Sequence, residues 1–528
     1  MHRSPTRLAG AALIACVLAA SCSSSAARSS TATSAVPESS VRASASPTAT
    51  TDSVLAIVAA TTTEAPTTTV PARQPVKTTG PITGGAGQAP ATTIDLAAVG
   101  YVEQEFFIEG KATSYDPVGT LGVDGKWTVK PGASMPYRTR IIVRRPKEAS
   151  AFSGTVLVEW LNVSAGADGD PDWGYASDEI IRSGDAWVGV SAQAVGINGG
   201  GAIVGGTSAG GGLVKADPVR YGSLVHPGDA FSFDIFTQAA TALTAFDGPS
   251  PVGGLKPTHI IAAGESQSAF YMTTYINAIQ PIVGLFDGFF VHSRGGGAPT
   301  LSTAGGLATS AADAIAIRDD LDVPVLVFLT ETDLTVLGYG YLDQPDSKNI
   351  KVWETAGTAH ADSYLLVQVY HLGADSNLAA IVNCAAPLNA GPQHELLLAA
   401  LHHLVDWVAN GNVPPTAPRV ELSSASPPVL ARDDQGIAIG GIRSPLVDVP
   451  VAVLSGDMVE GAIGFCALFG STTPFDAAAL AKLYPTGADY LKAFRASAQQ
   501  AVDGGFLLDA EARTMIANAE AVAATFGS

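Results

Sequence analysis

Short apolar runs alternate with helix-like segments through the middle of the chain, and this alternation limits the fold more than any other feature. Each run is bounded by turn residues and has the length of a strand. The predicted strands are residues 138–143, 155–162, 186–191, 259–263, 288–292, 323–330 and 350–354, and the helix-like segments between them are 174–182, 231–246 and 268–279. Strands joined by helices pair in parallel, which predicts an α/β fold with a mostly parallel central sheet flanked by helices.

The first 22 residues have the order of features that is typical of a signal peptide. Two arginines precede an almost wholly apolar run at residues 8–20, and small residues follow it. Residues 18–22, Leu-Ala-Ala-Ser-Cys, also resemble the lipobox of bacterial lipoproteins, in which Cys22 is lipidated. We therefore expect export to the outer face of the cell membrane or the cell envelope as a lipoprotein, with simple secretion as the alternative. The lipid anchor would be the only contact with a membrane.

Residues 23–90 are dominated by Ser, Thr, Ala and Pro and contain almost no aromatic side chains. Such a segment buries too little apolar surface to offset the entropy lost on ordering, so we predict a disordered linker. The folded domain is then residues 91–528. Residues 419–528 carry no chemical motif, and we predict that they form a C-terminal extension packed on the same domain.

Two cysteines, Cys384 and Cys466, lie in the predicted folded domain. Thiols of exported proteins meet an oxidising environment, which favours a disulfide between these two residues. The alternative is that both are small buried apolar side chains.

The charge balance excludes one class of partner. The chain has 29 basic and 48 acidic residues, and its formal net charge is -19. Nucleic-acid binding requires clustered Lys and Arg to neutralise phosphates, so we expect no nucleic-acid partner.

A predicted strand, a tight turn and a predicted helix follow one another around Ser266. Residues 264–268 read Gly-Glu-Ser-Gln-Ser. A serine in a tight turn between a strand and a helix is the context of a nucleophile elbow. The strained backbone of an elbow requires small residues two positions before and two positions after the nucleophile. Gly264 and Ser268 are small, although Ser268 stands where glycine is usual. We predict that Ser266 is a nucleophile.

A serine hydroxyl is a weak nucleophile and needs a base, normally His, that a carboxylate orients. Glu331 and Asp333 follow the predicted strand that ends at residue 330, and His360 follows the next strand. Because parallel strands end at the same edge of a sheet, both loops are expected beside the elbow. We predict His360 as the base and Asp333 as its acid partner, with Glu331 as the alternative acid.

A tetrahedral intermediate also needs preorganised hydrogen-bond donors. The backbone amide of Gln267, directly after the nucleophile, is the first predicted donor. The second is expected in the loop after strand 155–162, at the backbone of Asn162 or Val163. Asn162 is equally suited to capping a turn.

Five short segments carry a resemblance to a known family. They are Val-Glu-Trp-Leu-Asn-Val at 158–163, Pro-Asp-Trp at 171–173, the elbow at 264–268, Gly-Gly-Ile-Arg-Ser-Pro at 440–445 and Val-Pro at 449–450. On these segments, residues 95–525 resemble a large family of bacterial proteins that contain an α/β-hydrolase domain. The resemblance implies the α/β-hydrolase fold, a Ser-Asp/Glu-His triad and a tail that belongs to the same domain. It implies no substrate, because the family is defined mainly by sequence.

These features predict an exported serine hydrolase, first of all a carboxylic ester hydrolase that forms an acyl-enzyme from a small-molecule or lipid-like ester. An acyltransferase or an amidase would use the same triad, because the first half of the reaction is shared. A non-catalytic binding lipoprotein displayed on the envelope is a third hypothesis. No cofactor is required. No metal site is predicted either, because His394 and His402 lack the i, i+4 spacing of a zinc-binding helix.

Overall fold

The computed structural model describes residues 73–87, 92–200, 211–301, 311–342, 344–373 and 376–526. These residues belong to one compact unit of the chain. The predicted signal peptide, with Cys22, and residues 23–72 of the predicted linker lie outside the described residues.

The strands of the described residues are numbered in chain order. They are β1 (Val76–Thr79), β2 (Tyr101–Pro117), β3 (Val129–Pro146), β4 (Thr155–Trp160), β5 (Ala186–Val190), β6 (Phe246–Asp247), β7 (His259–Glu265), β8 (Gly288–His292), β9 (Val325–Thr330), β10 (Ile350–Thr355), β11 (Leu422–Ala425), β12 (Pro428–Leu430), β13 (Ala452–Ser455) and β14 (Ser471–Pro474).

The α-helices are numbered in the same way, and a π-helical turn at Tyr275–Ile279 joins the sixth to the seventh. They are α1 (Pro171–Ser183), α2 (Ala194–Asn198), α3 (Gly212–Ala216), α4 (Pro218–Tyr221), α5 (Ser232–Thr241), α6 (Gln267–Thr274), α7 (Gln280–Val283), α8 (Glu331–Thr335), α9 (Ser363–Gln368), α10 (Leu378–Ile381), α11 (Gln393–Asn410), α12 (Pro445–Asp448), α13 (Ala477–Leu483), α14 (Gly487–Asp503) and α15 (Asp509–Ala523).

Ten of these strands form one sheet, in the order β10-β9-β8-β7-β4-β5-β3-β2-β1-β6. Every neighbouring pair from β10 to β5 is parallel, and so are β1 and β6. The pairs β5–β3, β3–β2 and β2–β1 are antiparallel. The predicted α/β class, with a mostly parallel central sheet, is confirmed.

Both faces of the central strands are buried under helices. On β4, Val156, Val158 and Trp160 pack into one core with residues of α5 and α6. Leu157 points to the opposite face, into a second core with residues of α1 and α11. A strand covered on both faces needs apolar side chains at successive positions, which explains why the central strands are continuous apolar runs in the sequence.

Strand β1 lies inside the predicted linker, so the predicted boundary at residue 90 is wrong. Its register places Lys77 opposite Glu109 of β2. The side chains of Val76 and Thr78 are buried, and Lys77 between them is exposed. This alternation suits an outer strand of a sheet, but the Thr- and Pro-rich composition around it gives no hint of order. The folded domain therefore begins before residue 91.

The C-terminal extension packs on the sheet domain, as predicted. Helices α14 and α15 share a small core around Tyr490 and Phe494. Phe506, which follows α14, packs edge-on against Trp353 of β10 with a centroid separation of 5.1 Å. Arg182 of α1 donates a hydrogen bond of 2.7 Å to Glu511 of α15.

Cys384 and Cys466 form a disulfide. The bond joins the segment after α10 to the short helical turn Gly464–Leu468, so the predicted pairing is present and the alternative of two free buried thiols does not hold in this structure.

Within the described ranges, no helix has both the length and the apolarity needed to cross a bilayer.

A buried carboxylate fastens the extension to the loops after β9 and β10. Glu331 accepts hydrogen bonds from the Arg432 guanidinium at 2.8 Å, from the Gly456 amide at 2.9 Å and from the Gly357 amide at 2.6 Å. Burial raises the pKa of Glu331, and the charge of Arg432 opposes that rise. Glu331 and Arg432 therefore depend on each other.

We expect Arg432→Met to lower the free energy of unfolding by about 3–5 kcal/mol, because it leaves a buried carboxylate without its cation. Adding Glu331→Gln should restore part of this loss, since a neutral amide no longer needs the guanidinium. Urea unfolding of the wild type, both single variants and the double variant measures the coupling. Strictly additive losses would contradict the predicted dependence.

Candidate active site

Ser266 lies at a sharp turn between β7 and α6. Its φ of 56° and ψ of -120° match the first central position of a type II′ turn, which favours glycine. Its backbone amide donates to the His292 carbonyl at the end of β8, at 3.0 Å. A Cβ atom on Gly264 would lie 3.0 Å from the backbone of Ser268, so a larger residue at position 264 would force strand and helix apart.

The structure brings Ser266, His360 and Asp333 together. His360 Nε2 lies 2.7 Å from Ser266 Oγ, and His360 Nδ1 lies 2.6 Å from Asp333 Oδ1. The hydroxyl donates to Nε2 and Nδ1–H donates to the carboxylate when the imidazole is neutral, because an ionised carboxylate only accepts. His360 and Asp333 are buried. The arrangement can move a proton from Ser266 to His360.

Helix α8 fixes the position of Asp333. The carboxylate accepts from the Thr330 amide at 2.7 Å through Oδ2, which leaves Oδ1 for His360. This is the reciprocal bond of a capping box at the helix start. The His360 amide donates to Thr332 Oγ1 at 3.2 Å, and that hydroxyl donates to the Gly456 carbonyl at 2.6 Å. The positions of Asp333 and His360 are thus both fixed by hydrogen bonds at the first turn of α8.

Glu331, the alternative acid, does not contact His360. Both of its oxygens are held by Arg432 and by backbone amides, as described above. Of the two predicted carboxylates, the structure places Asp333 on His360 and Glu331 in the contact with the C-terminal extension.

Burial and neighbouring charges act on His360 in opposite directions. Burial disfavours the imidazolium, but the charge and hydrogen bond of Asp333, together with the charge of Glu265, outweigh this effect, and the pKa of His360 is raised. The raised pKa favours transient protonation of the imidazole. A base of this kind must lose its proton before it can act, so the activity of such a site rises with pH on the acid side.

The three residues predicted as oxyanion-hole donors lie around Ser266, but they are not equivalent. Gln267 is the first residue of α6. Its backbone amide therefore has no acceptor within that helix. The Val163 amide faces the Gln267 side-chain carbonyl at 3.4 Å. The Asn162 amide donates to the Gly169 carbonyl at 2.9 Å, so the fold already uses it.

A chain of side chains that the sequence did not indicate fixes the orientation of Gln267. Gln193 Oε1 accepts from the Trp160 indole at 3.0 Å and from Gln267 Nε2 at 2.7 Å. Because an indole N–H only donates, the Gln193 carbonyl must face it, and Gln267 must present its Nε2 to that carbonyl. Gln267 Oε1 then points at Val163. The only sequence signal for Gln193 is its place after β5, at the same sheet edge.

His292 belongs to a separate buried network. Its Nδ1 lies 2.9 Å from Asp172 Oδ1, and the Gln393 amide lies 3.0 Å from its Nε2. All three side chains are fully buried, so the Pro-Asp-Trp segment contributes to packing below the elbow. Across the part of the chain that the structure describes, no group of three or more His, Cys, Asp or Glu side chains is arranged to hold a metal ion.

A family model for the alpha/beta hydrolase domain matches residues 78–517. The chain belongs to this alpha/beta hydrolase family. No curated protein matches it in sequence.

Among solved structures, this family member is similar to several hydrolases at low identity. XC6422 from Xanthomonas campestris, a lidless a/b serine hydrolase, is 14% identical, with 52% of this chain and 94% of that chain covered and a TM-score of 0.27. Esterase Est22 is 13% identical over 54% and 80%, with a TM-score of 0.26. An esterase from Rhizomucor miehei is 12% identical over 62% and 94%, with a TM-score of 0.28. Likeness at this level carries no argument about activity.

The turn at Ser266 predicts an unusual order of stabilities. We expect Ser266→Gly to be more stable than Ser266→Ala by about 1 kcal/mol, because glycine relieves the backbone strain. The matched control is Ser268 in α6, where the glycine variant should be less stable than the alanine variant by about 0.5–1 kcal/mol. Thermal unfolding of the four variants measures both orders, and the same order at both positions would argue against strain at Ser266.

Proposed function

We propose that this protein is a serine hydrolase that cleaves carboxylic esters through an acyl-enzyme. The observation that supports this most directly is the hydrogen-bonded chain from Ser266 Oγ through His360 to Asp333, with distances of 2.7 and 2.6 Å. Ser266, the first residue of this hydrogen-bonded series, lies on a strained turn that presents its hydroxyl at the carboxyl edge of the sheet. The substrate would be a small-molecule or lipid-like ester.

In the first half of the proposed reaction, Ser266 Oγ attacks the ester carbonyl carbon and its proton passes to His360 Nε2. The carbonyl oxygen becomes an oxyanion. The intermediate collapses, the carbon–oxygen bond to the alcohol breaks, and His360 returns the proton to the departing alcohol. The acyl group is left on Ser266.

In the second half, water attacks the acyl carbon and gives a proton to His360. Collapse of this intermediate releases the carboxylic acid, and the proton returns to Ser266 Oγ. Asp333 takes no proton in either half; its carboxylate accepts from Nδ1–H and stabilises the imidazolium.

For the oxyanion we assign the backbone amides of Gln267 and Val163. The Val163 amide is supported by its long bond to a side chain that a charged oxygen would displace. Asn162 is not assigned this role, because its amide is bonded to Gly169.

The proposal predicts covalent labelling by a fluorophosphonate probe. The probe should phosphonylate Ser266 in the wild type and should not label Ser266→Ala, because the hydroxyl is the attacking group. Intact-mass and peptide-mass spectrometry locate the adduct. An unlabelled wild type, or equal labelling of both proteins, would refute the serine mechanism.

Two carboxylate variants serve as matched controls for the same measurement. Asp333→Asn should slow labelling and the hydrolysis of p-nitrophenyl esters by about 10³–10⁴-fold, because His360 loses the partner that sets its tautomer. Glu331→Gln should label at nearly the wild-type rate when assayed well below its unfolding temperature. A larger effect at Glu331 than at Asp333 would reverse the assignment.

Esters of increasing acyl length measure the size of the acyl site.

We also propose that the protein is exported and lipidated at Cys22. The order of features in residues 1–22 and the disulfide of the folded domain support this, since disulfides persist in oxidising compartments. An alkyne fatty acid fed to expressing cells should be incorporated into the wild type and not into Cys22→Ala. Secreted wild type without the label would favour simple secretion.

A further inference from the structure

A second carboxyl group lies beside the proposed triad, at the imidazole nitrogen that exchanges the proton. Glu265 Oε1 is 3.6 Å from His360 Nε2, whereas Asp333 bonds Nδ1 on the other side of the ring. Glu265 is only 4% exposed. Water therefore does little to screen its side chain from the imidazole.

The orientation of Glu265 is fixed by Asn162. Asn162 Nδ2 donates to Glu265 Oε2 at 2.9 Å and to the Glu265 carbonyl at 3.1 Å. The Asn162 side-chain carbonyl accepts from the Ser164 amide at 2.7 Å, and because a backbone amide only donates, the amide group cannot be turned around. One oxygen of Glu265 is thus held by a neutral partner, and the other faces His360.

The remaining charged or titratable groups around Glu265 do not neutralise it. The groups that act on it, or on which it acts, are His360, His292, Asp172, Asp333, Tyr175 and Tyr370. Among the described residues that act on Glu265 in this way, there is no lysine or arginine. Burial raises the pKa of Glu265 to about 7, with the two histidines opposing the rise and the two aspartates adding to it.

We propose that Glu265 is a second positioning carboxylate for His360, which stabilises the imidazolium from the Nε2 side during each proton transfer. This inference rests on the proposed function, because it requires His360 to be the base. When Glu265 is ionised, its charge lies beside the proton that Ser266 releases. When Glu265 is neutral, that stabilisation is lost although the triad remains assembled.

The sign of the pH effect is set by this geometry. His360 must be neutral to act as a base, and Glu265 must be ionised to assist it, so full activity requires both groups to have lost their protons. The slope of the acid limb of log kcat/KM against pH should therefore exceed one, which is the slope that a single ionisation gives. An ionised Glu265 also raises the pKa of His360, so its removal should move the limb to lower pH.

The test is the pH profile of Glu265→Gln, which keeps the shape and the acceptor for Asn162 and removes the charge. With p-nitrophenyl acetate, kcat/KM at pH 8 should fall about 10- to 100-fold, because charge stabilisation in the transition state is lost. The midpoint of the acid limb should move down by about one pH unit, and its slope should become one. The two proteins should converge in rate below about pH 5, where Glu265 is neutral in both.

Two further variants separate this role from a structural one. Glu265→Asp retains the charge at a greater distance and should restore part of the rate and the steeper limb. Glu421→Gln removes an exposed carboxylate and should leave the profile unchanged. A uniform loss of rate at every pH, with an unmoved acid limb, would show that Glu265 only supports the fold.

Failure of this inference is distinguishable from failure of the proposed function. Fluorophosphonate labelling of Ser266 decides whether the serine mechanism operates. If the wild type is labelled and Glu265→Gln has the wild-type pH profile, the triad stands and the role of Glu265 is refuted. If the wild type is not labelled, both proposals fall together.

Discussion

The parallel pairing of β7, β8, β9 and β10 is the constraint on which the candidate site depends. The register places Glu265 opposite His292 and Thr330 opposite Thr355, so the four strands end at one edge of the sheet. The loops that leave the carboxyl ends of neighbouring parallel strands emerge side by side. The elbow, helix α8 with Asp333 and the segment after β10 with His360 meet there, although 94 residues separate Ser266 from His360.

Glu331, Asp333 and Glu265 are all buried near this edge, and their partners give them different roles. Glu331 pairs with a cation, Arg432, and joins two parts of the fold. Asp333 accepts a hydrogen bond from a backbone amide and contacts the His360 imidazole, so neither partner is a lysine or an arginine. Glu265 has a neutral amide for one oxygen and the imidazole near the other, so its charge depends on pH. A carboxylate that a cation already neutralises would stabilise an imidazolium less than the other two.

The sequence predicts the central parallel strands of the sheet better than the outer antiparallel strands. Strands such as β9 are continuous apolar runs because both faces are covered. The first half of β3 is mostly exposed and contains Pro131 and Pro136, and the sequence predicts only residues 138–143 of this strand. No strand is predicted at β2, although residues 105–108 of β2 are buried. Glu265 stood in the motif, but only the structure shows which group its side chain faces. The sequence predicts Asn162 as a backbone donor, but its amide is bonded to Gly169 and its side chain donates to Glu265.

The contact between Gln267 and Val163 shows how an amide proposed to bind the oxyanion can be hydrogen-bonded before a substrate arrives. A buried amide without an acceptor is costly, and the Gln267 carbonyl supplies one at 3.4 Å. The oxyanion that forms from the ester carbonyl in the proposed reaction would carry a full charge and would make a shorter, stronger bond to the same amide. Displacing the long neutral bond costs less than the charged bond supplies. Gln193 would keep its bond to Trp160 while Gln267 moved aside, so the exchange would leave the packing beneath the site intact.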